Sequence, residues 1–173
     1  MSTVLTITQE SPRRRLAVVV LEPMRAVDVD AVLDVQGPGS IAALSEVFPQ
    51  DRYPFPRAEL RQRWLEEVAD PDVACFVIRP DRIVTGFAAL HGTELLHFGT
   101  EISTWGTGLA SLAHDELLAT LTDEGATIAW LRVFEVNARA RRFYTKHGWT
   151  ADDERTTSSF PPHPTLLRYE KKL

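Results

Sequence analysis

Three short apolar runs in the middle of the chain restrict its fold more than any other feature. The runs are "VACFVI" (73–78), "RIVTGFAAL" (82–90) and "ELLHFGTEI" (94–102), and their composition is typical of β-strands. Three residues separate each run from the next. Such short connections cannot hold a crossover, so the strands must be antiparallel neighbours. The sequence therefore predicts an antiparallel meander at the centre of the fold.

Further segments surround this meander. Apolar spacing predicts helices over 26–35, 57–68, 108–123 and about 137–146, the third with a buried stripe of Leu109, Leu112, Leu117 and Leu121. "GPGS" (37–40) is predicted to break the first helix, and "IAALSEVF" (41–48) to form another short one. Strands are predicted over 16–22, 127–134, 149–152 and 165–171. Residues 1–15 are predicted to be a flexible N-terminal tail, and 16–173 a single α/β domain with a mixed sheet.

Charge and cysteine content exclude several classes of function. The net charge of −5 is unsuited to general nucleic-acid binding, which requires a basic face. Cys75 is the only cysteine, so no disulfide framework or thiolate metal cluster exists, and no His/Asp/Glu spacing predicts a metal site. The apolar run after Arg13–Arg15 is too short for a secretory signal or a membrane span. We therefore expect a cytoplasmic protein that binds neither nucleic acid nor membrane.

A glycine turn marks a place where a strand gives way to a helix. In "STWGTGLASLAHDELL", Gly106 and Gly108 precede the helix over 108–123. The first amides of a helix have no intrahelical partners, and the helix dipole adds positive potential there. Such a turn accepts a phosphate or diphosphate without a basic side chain. An isolated Gly-x-Gly is also common as a simple turn, so the motif needs its context.

That context is a second motif. "NARARRFY" (137–144) follows the strand over 127–134, with Asn137 suited to cap the helix. Together with the meander and the glycine turn, this order of elements resembles the GNAT superfamily of acyl-CoA-dependent N-acetyltransferases. The family's Gln/Arg-x-x-Gly-x-Gly/Ala motif matches residues 105–110, with tryptophan at its first position, and its Asn-x-x-Ala-x-x-Phe-Tyr motif matches residues 137–144.

The resemblance implies a fold and an activity. The fold is a mostly antiparallel mixed sheet of about seven strands with about four helices, splayed between the fourth and fifth strands. The activity is transfer of an acetyl group from acetyl-CoA to a primary amine of a small molecule, by direct attack in a ternary complex. Related enzymes often pair as homodimers. The alternatives are acetylation of a protein lysine or N-terminus, and a non-catalytic acyl-CoA-binding regulatory domain.

The resemblance also implies the residues that hold acetyl-CoA. The strand residues Phe98, Gly99, Thr100 and Ile102 are expected to bind the pantetheine arm, and Gly99 to mark a bulge or a close backbone approach. The turn and helix start are expected to bind the diphosphate through Trp105, Gly106, Thr107, Gly108, Leu109 and Ala110. The second motif adds Asn137, Ala140, Phe143 and Tyr144, and Arg141 is chosen among three arginines for a phosphate contact.

Tyr144 is the expected general acid. The thiolate that leaves the thioester must be protonated, and a phenol with an ordinary pKa near 10 carries its proton at neutral pH. Adjacent helix positions point in different directions, so Phe143 is expected in the core and Tyr144 in the cofactor channel.

The general base is less defined. Glu94 is the residue chosen, because some family members carry a catalytic glutamate there. His97 is an alternative, since an imidazole titrates near neutrality. Strand alternation predicts that His97 and Glu101 face away from Glu94. The acceptor pocket is expected to lie among the loops, with walls formed by Phe48, Tyr53, Phe55 and Phe160, and with Asp51 and His163 as polar contacts.

Overall fold

The computed structural model describes residues 20–173. The predicted tail over 1–15, and the start of the strand predicted over 16–22, lie outside these residues. The strands are β1 (Leu21–Pro23), β2 (Val73–Ile78), β3 (Gly86–His91), β4 (Glu94–Thr100), β5 (Ile128–Phe134), β6 (Thr150–Thr157) and β7 (Thr165–Lys172). The α-helices are α1 (Val29–Leu44), α2 (Arg57–Ala69), α3 (Leu109–Asp123) and α4 (Ala138–Lys146).

All seven strands of the described region form one sheet in the order β1-β2-β3-β4-β5-β7-β6. Every neighbouring pair is antiparallel except β4 and β5, which are parallel. The predicted meander is confirmed as β2, β3 and β4. The parallel pairing joins only Glu94 with Trp130 and Leu95 with Leu131, so the sheet opens beyond these residues. The splayed, mixed α/β sheet implied by the resemblance is therefore present.

Helices cover both faces of the sheet. On one face, α1 and α2 bury Val32, Leu33 and Trp64 against Val77 and Ala89. On the other face, the buried residues of α3 and α4 pack against β5 and β7; this cluster includes Leu117, Leu121, Leu131, Tyr144 and Tyr169. Burial of this apolar area supplies most of the folding free energy. None of the helices in residues 20–173 has the length and apolar character needed to cross a lipid bilayer.

The prediction that "GPGS" ends the first helix is wrong. A short 3-10 turn (Ala26–Asp28) leads into α1, which continues through Pro38 and Gly39 to Leu44. Gly37 is buried against the ring of Phe55, and a Cβ atom there would lie 3.3 Å from Phe55 Cε1. Burial of apolar residues at both ends of the helix outweighs the local preference of glycine and proline for a turn. The two short helices predicted over 26–48 are therefore one.

Several strand boundaries and one buried position also differ from expectation. β6 extends to Thr157, beyond the predicted end at 152. β3 begins at Gly86 rather than Arg82, and β4 ends at Thr100, after which Ile102–Thr104 form a 3-10 turn. In α3 the buried face contains Ala113 and His114 beside the predicted Leu117 and Leu121, whereas Leu112 is exposed. A histidine that satisfies both of its ring nitrogens can occupy a core position that helical spacing alone assigns to an apolar residue.

Candidate active site

A cleft of about 600 Å³ lies where β4 and β5 separate. Its walls come from the second half of α1, the end of β4, the glycine turn, the end of β5 and the inner face of α4. The sheet opens here because β5 turns away from β4 after Leu131. The backbone edge of β4 after Leu95 has no strand partner on that side within residues 20–173, so it is available to a ligand.

The glycine turn forms one end of the cleft. Gly106 has φ 81° and Gly108 has φ 94°, a left-handed conformation that favours glycine. Within the described region, the backbone N–H groups of Gly106, Gly108, Ala110 and Ser111 donate no hydrogen bond. These four donors stand at the N-terminus of α3, where the helix dipole is positive. The turn therefore fits an anionic group such as a diphosphate.

Trp105 and Arg139 stand together beside this turn. The indole Nε1 of Trp105 donates to the Thr100 carbonyl at 3.1 Å, which fixes the ring against the end of β4. The Arg139 guanidinium carbon lies 3.7 Å from the centre of that ring. Arg139 and Arg142 both line the cleft, whereas Arg141, the arginine chosen from the sequence, does not. Arg141 instead donates to the Glu135 carbonyl at 3.0 Å and to the Tyr169 hydroxyl at 3.3 Å.

α4 begins as predicted. The Asn137 side chain accepts a hydrogen bond from the Ala140 N–H at 3.0 Å, so its role as N-cap is confirmed. The cap fixes the start of α4, and with it the direction in which the aromatic residues of the next turns point. Asn137 and Ala140 both line the cleft.

Tyr144 lies in the wall of the cleft and in the core at once. Its side chain is buried among Phe143, Trp149 and Tyr169, with ring centres 5.5 to 6.4 Å apart. Burial raises the pKa of Tyr144, so the phenol keeps its proton across the neutral range. The prediction that Phe143 lies in the core and Tyr144 in the channel is wrong, because Phe143 is only half-buried and Tyr144 is the core residue. Both rings nevertheless line the cleft.

A bulge in β4 decides which side chains face each other. Ala89 pairs with His97 but Leu90 pairs with Leu95, so Leu96 is an extra residue. Because of the bulge, Glu94 and His97 lie on the same face of the sheet, paired across the strands with His91 and Ala89. The prediction from simple alternation, that they face apart, is wrong. The bulge is also not at Gly99. That glycine is required by the Phe87 ring, since a Cβ atom there would lie 2.6 Å from Phe87 Cζ.

His97 and Glu94 have different partners on this shared face. His97 lines the cleft, and its Nε2 lies 2.9 Å from the Glu67 carboxylate, with the ring against Trp64. Burial raises the pKa of Glu67, but the hydrogen bond and charge of His97 outweigh this, and the pKa stays below its ordinary value. Glu94 is buried in an ion pair with Arg132, at 2.9 Å, and does not line the cleft.

Two further histidines, His114 and His147, lie close together at α3. His147 lines the cleft, and its Nε2 lies 3.0 Å from Ser111 Oγ. Behind it, His114 is almost fully buried; its Nε2 accepts from the Trp149 indole at 2.9 Å, so Nδ1 carries the proton and donates to Asp115. Burial lowers the pKa of His114. Ligand atoms of His114, Asp115 and His147 lie within 4.8 Å of one another, but the indole hydrogen bond leaves no lone pair on His114 for a metal.

The structure brings most of the residues implied for acetyl-CoA to one cleft. Those that line it are Phe98, Gly99, Thr100, Trp105, Gly106, Gly108, Ala110, Asn137, Ala140, Phe143 and Tyr144. Ile102, Thr107, Leu109 and Arg141 lie outside its walls. The cleft is also lined by residues that the motifs do not predict: Ser111 and His147, and Gln36, Gly39 and Ser40 from α1. The α1 wall is not predicted, because the sequence places a turn at the glycines where the helix in fact continues.

The residues expected to form the acceptor pocket lie in other places than the cleft wall. Phe48 packs edge to face on Phe134, which lines the cleft, with ring centres 5.7 Å apart. Phe55 instead packs in the core beneath α1. His163 lies in the β6–β7 loop, where its Nδ1 and the Ser158 carbonyl are 2.9 Å apart. Tyr53, Asp51 and Phe160 do not line the cleft. Phe48 thus lies behind the cleft wall, and none of the six residues expected around the acceptor lines the cleft itself.

The comparison with protein families decides the class of protein. The model of the acetyltransferase (GNAT) family matches residues 41–149, which include the glycine turn and the motif of α4. The chain belongs to the GNAT acetyltransferase family. Proteins named uncharacterized N-acetyltransferases of Mycobacterium bovis and Mycobacterium tuberculosis are 34% identical over 122 residues, covering 67% of this chain and 78% of theirs. This GNAT chain is therefore an N-acetyltransferase.

Solved GNAT-type structures share its fold. The PaiA N-acetyltransferase of Thermoplasma acidophilum, solved in complex with coenzyme A, gives a TM-score of 0.74 at 16% identity, covering 88% of this chain and 98% of that one. The ribosomal-protein-alanine N-acetyltransferase of Brucella melitensis gives 0.65 at 14% identity, covering 90% and 100%. At these identities the likeness establishes the fold.

Proposed function

We propose that this GNAT enzyme transfers the acetyl group of acetyl-CoA to a primary amine of a small molecule, by direct attack in a ternary complex. One observation carries the proposal. The unpaired amides of the glycine turn, the open edge of β4 and the Tyr144 ring all border one cleft. An extended ligand with a diphosphate at one end and a thioester at the other fits such a site.

The donor side of the mechanism rests on the turn and on Tyr144. The amides of Gly106, Gly108, Ala110 and Ser111 hold the diphosphate, while the edge of β4 holds the pantetheine arm as an added strand would. Tyr144 donates its proton to the thiolate as the carbon–sulfur bond breaks. Its raised pKa keeps the proton in place until that negative charge develops.

The acceptor side rests on His97. The amine approaches from the face of α1 and α2, where His97 borders the cleft and Glu67 holds its ring. His97 accepts the proton of the incoming ammonium group, and the Glu67 carboxylate stabilises the imidazolium that forms. Glu94, the base chosen from the sequence, is less suited, because it does not line the cleft and its carboxylate is paired with Arg132, which does.

The only cysteine supports direct attack. Cys75 is buried beneath α2 and does not line the cleft, and burial, followed by the nearby charges of Glu67 and Asp70, raises the pKa of its thiol to about 12. A thiol in this state supplies no thiolate to carry the acetyl group. This supports attack by the amine itself over transfer through a cysteine thioester.

A panel of primary amines tests the proposal by release of free CoA thiol. Tyr144→Phe keeps the packing but removes the acid, so kcat is expected to fall about a hundredfold or more, with KM for acetyl-CoA nearly unchanged. Tyr169→Phe is the matched control, because Tyr169 is another buried phenol in the same aromatic cluster but lies outside the cleft. It is expected to keep its turnover.

Two outcomes would contradict the proposal. Full turnover of Tyr144→Phe, where chemistry limits the rate, removes the proposed acid. Acetylation of peptide lysines or N-termini with no reaction on any small amine would assign a protein acceptor instead.

A further inference from the structure

Trp105 occupies the position at which the family motif has glutamine or arginine, so the turn lacks that polar side chain. A positive charge is nevertheless present beside Trp105. The guanidinium carbon of Arg139, from the first turn of α4, lies over the Trp105 ring, 3.7 Å from its centre, a distance at which a guanidinium is attracted by the ring face. The ring itself is fixed by its hydrogen bond to the Thr100 carbonyl. An aromatic platform therefore holds a cation beside the glycine turn.

The Arg139 guanidinium has donors to spare. Within residues 20–173, no carboxylate or carbonyl accepts from it, whereas Arg61, Arg79, Arg132 and Arg168 each pair with a carboxylate. Burial, together with the neighbouring Arg142, lowers the pKa of Arg139. The protein thus leaves this positive charge uncompensated. An anion bound at the turn would compensate it and would receive its planar pair of N–H groups.

We propose that Arg139, held on Trp105, binds the diphosphate of acetyl-CoA in place of the side chain missing from the motif. This inference rests on the proposed function, because it assigns a residue to the same coenzyme site. Trp105 acts as a positioning residue, which restricts the rotamers of Arg139 before the ligand arrives. The contact is placed at the diphosphate rather than the 3′-phosphate because Trp105 adjoins Gly106 and Gly108, which line the same cleft and whose amides donate no hydrogen bond within residues 20–173.

Calorimetric titration with CoA and with 3′-dephospho-CoA tests the assignment. Arg139→Gln is expected to weaken both ligands by a similar factor of about ten to a hundred, the worth of a charge-assisted hydrogen bond. Arg155→Gln is the matched control, since it removes an exposed positive charge on β6, remote from the cleft. It is expected to leave both dissociation constants within about twofold.

Substitutions of Trp105 test the platform. Trp105→Phe keeps an aromatic face and is expected to retain most of the affinity, whereas Trp105→Leu is expected to weaken CoA several-fold. In the Arg139→Gln background, Trp105→Leu is expected to add little, because the two residues act as one unit. Thermal unfolding of each variant confirms that the fold is kept.

The outcomes separate this inference from the function on which it depends. If wild-type protein does not bind CoA, the proposed function fails. If wild-type protein binds CoA and Arg139→Gln binds it equally well, only the role of Arg139 is refuted. A loss confined to CoA, with 3′-dephospho-CoA unaffected, would move the contact to the 3′-phosphate and overturn the assignment. Independent, additive effects of the two residues would overturn the platform.

Discussion

Single side chains in the cleft are set by the neighbours that hold them. His97 is held by the Glu67 carboxylate at 2.9 Å and by the Trp64 ring, and Glu67 is itself paired with Arg63 at 3.0 Å. Trp64 in turn donates to the Gln36 side chain at 2.8 Å, and Gln36 lines the cleft. A chain of contacts from α2 and α1 thus fixes the orientation of one imidazole, which a general base requires.

Replacement of that imidazole should identify the base. His97→Gln is expected to lower kcat/KM for the amine about a hundredfold or more, and to remove the rise of the rate with pH. Glu67→Gln leaves the imidazole but removes its orienting charge, so a smaller loss is expected. Initial rates measured across the neutral pH range give both effects.

Glu94→Gln is the comparison that decides between the two candidate bases. The substitution is expected to keep most of the rate, because Glu94 pairs with Arg132 and does not line the cleft. A large loss for Glu94→Gln together with a nearly intact His97→Gln would make Glu94 the base.

Among the secondary-structure elements, α1 shows how packing overrides local preference. Two glycines and a proline lie in its interior, yet the helix spans Val29–Leu44. The two glycines have different surroundings: Gly37 is buried against Phe55, whereas a Cβ atom at Gly39 would approach nothing closer than the Thr100 carbonyl, at 4.0 Å. The first glycine is there for close packing, and the second is not.

These surroundings predict opposite effects of one methyl group. Gly39→Ala is expected to raise the free energy of unfolding by about 0.5–1 kcal/mol, because alanine loses less backbone entropy in a helix. Gly37→Ala is expected to gain nothing or to destabilise, since its methyl would press on Phe55 at 3.3 Å. Urea denaturation of the two variants measures the difference. Equal stabilisation by both would contradict the packing role of Gly37.

The elements differ in how far the sequence determines them. β2 and α2 have uninterrupted apolar patterns, and their predicted limits are within a residue of those observed. The course of α1 depends on Phe55, a residue from a loop outside the helix, so no local pattern contains it. The bulge at Leu96 is equally hidden, because register depends on the pairing with β3. Most residues of the two motifs line the cleft, and they could be named because each motif is a short local segment. The His97–Glu67 pair joins β4 to α2, so no local pattern contains it.

At the scale of the whole molecule, a histidine in the core is a determinant of stability. His114 lies in the core between Trp149 and Phe143, with its neutral tautomer fixed by the indole hydrogen bond. Burial lowers its pKa below the ordinary value of 6.5. Below that value, the unfolded chain takes up a proton that the folded protein refuses. Stability must therefore fall as the pH falls through 6.5, and level off once the folded pKa is reached.

The size of this effect is bounded by one proton. The free energy of unfolding is expected to fall by at most about 1.4 kcal/mol per pH unit on this account. Urea denaturation at about pH 7.5 and about pH 5.5 measures it. His114→Gln is expected to be less stable at the higher pH and to lose this part of the pH dependence, while His91→Gln, at an exposed position, is expected to keep it. Identical pH dependence in all three proteins would contradict the role of His114.

The extra residue at Leu96 changes which positions of β4 share a face. Before the bulge, the even-numbered Glu94 lies on the face of α1 and α2; after it, the odd-numbered His97 lies on that face. Deleting Leu96 would remove the bulge and return the strand to plain alternation, with His97 still opposite Ala89 and Phe98 still opposite Ala88. The strand can therefore lose this one residue without a change of faces, whereas the loss of a second would exchange the side chains that its two faces carry downstream.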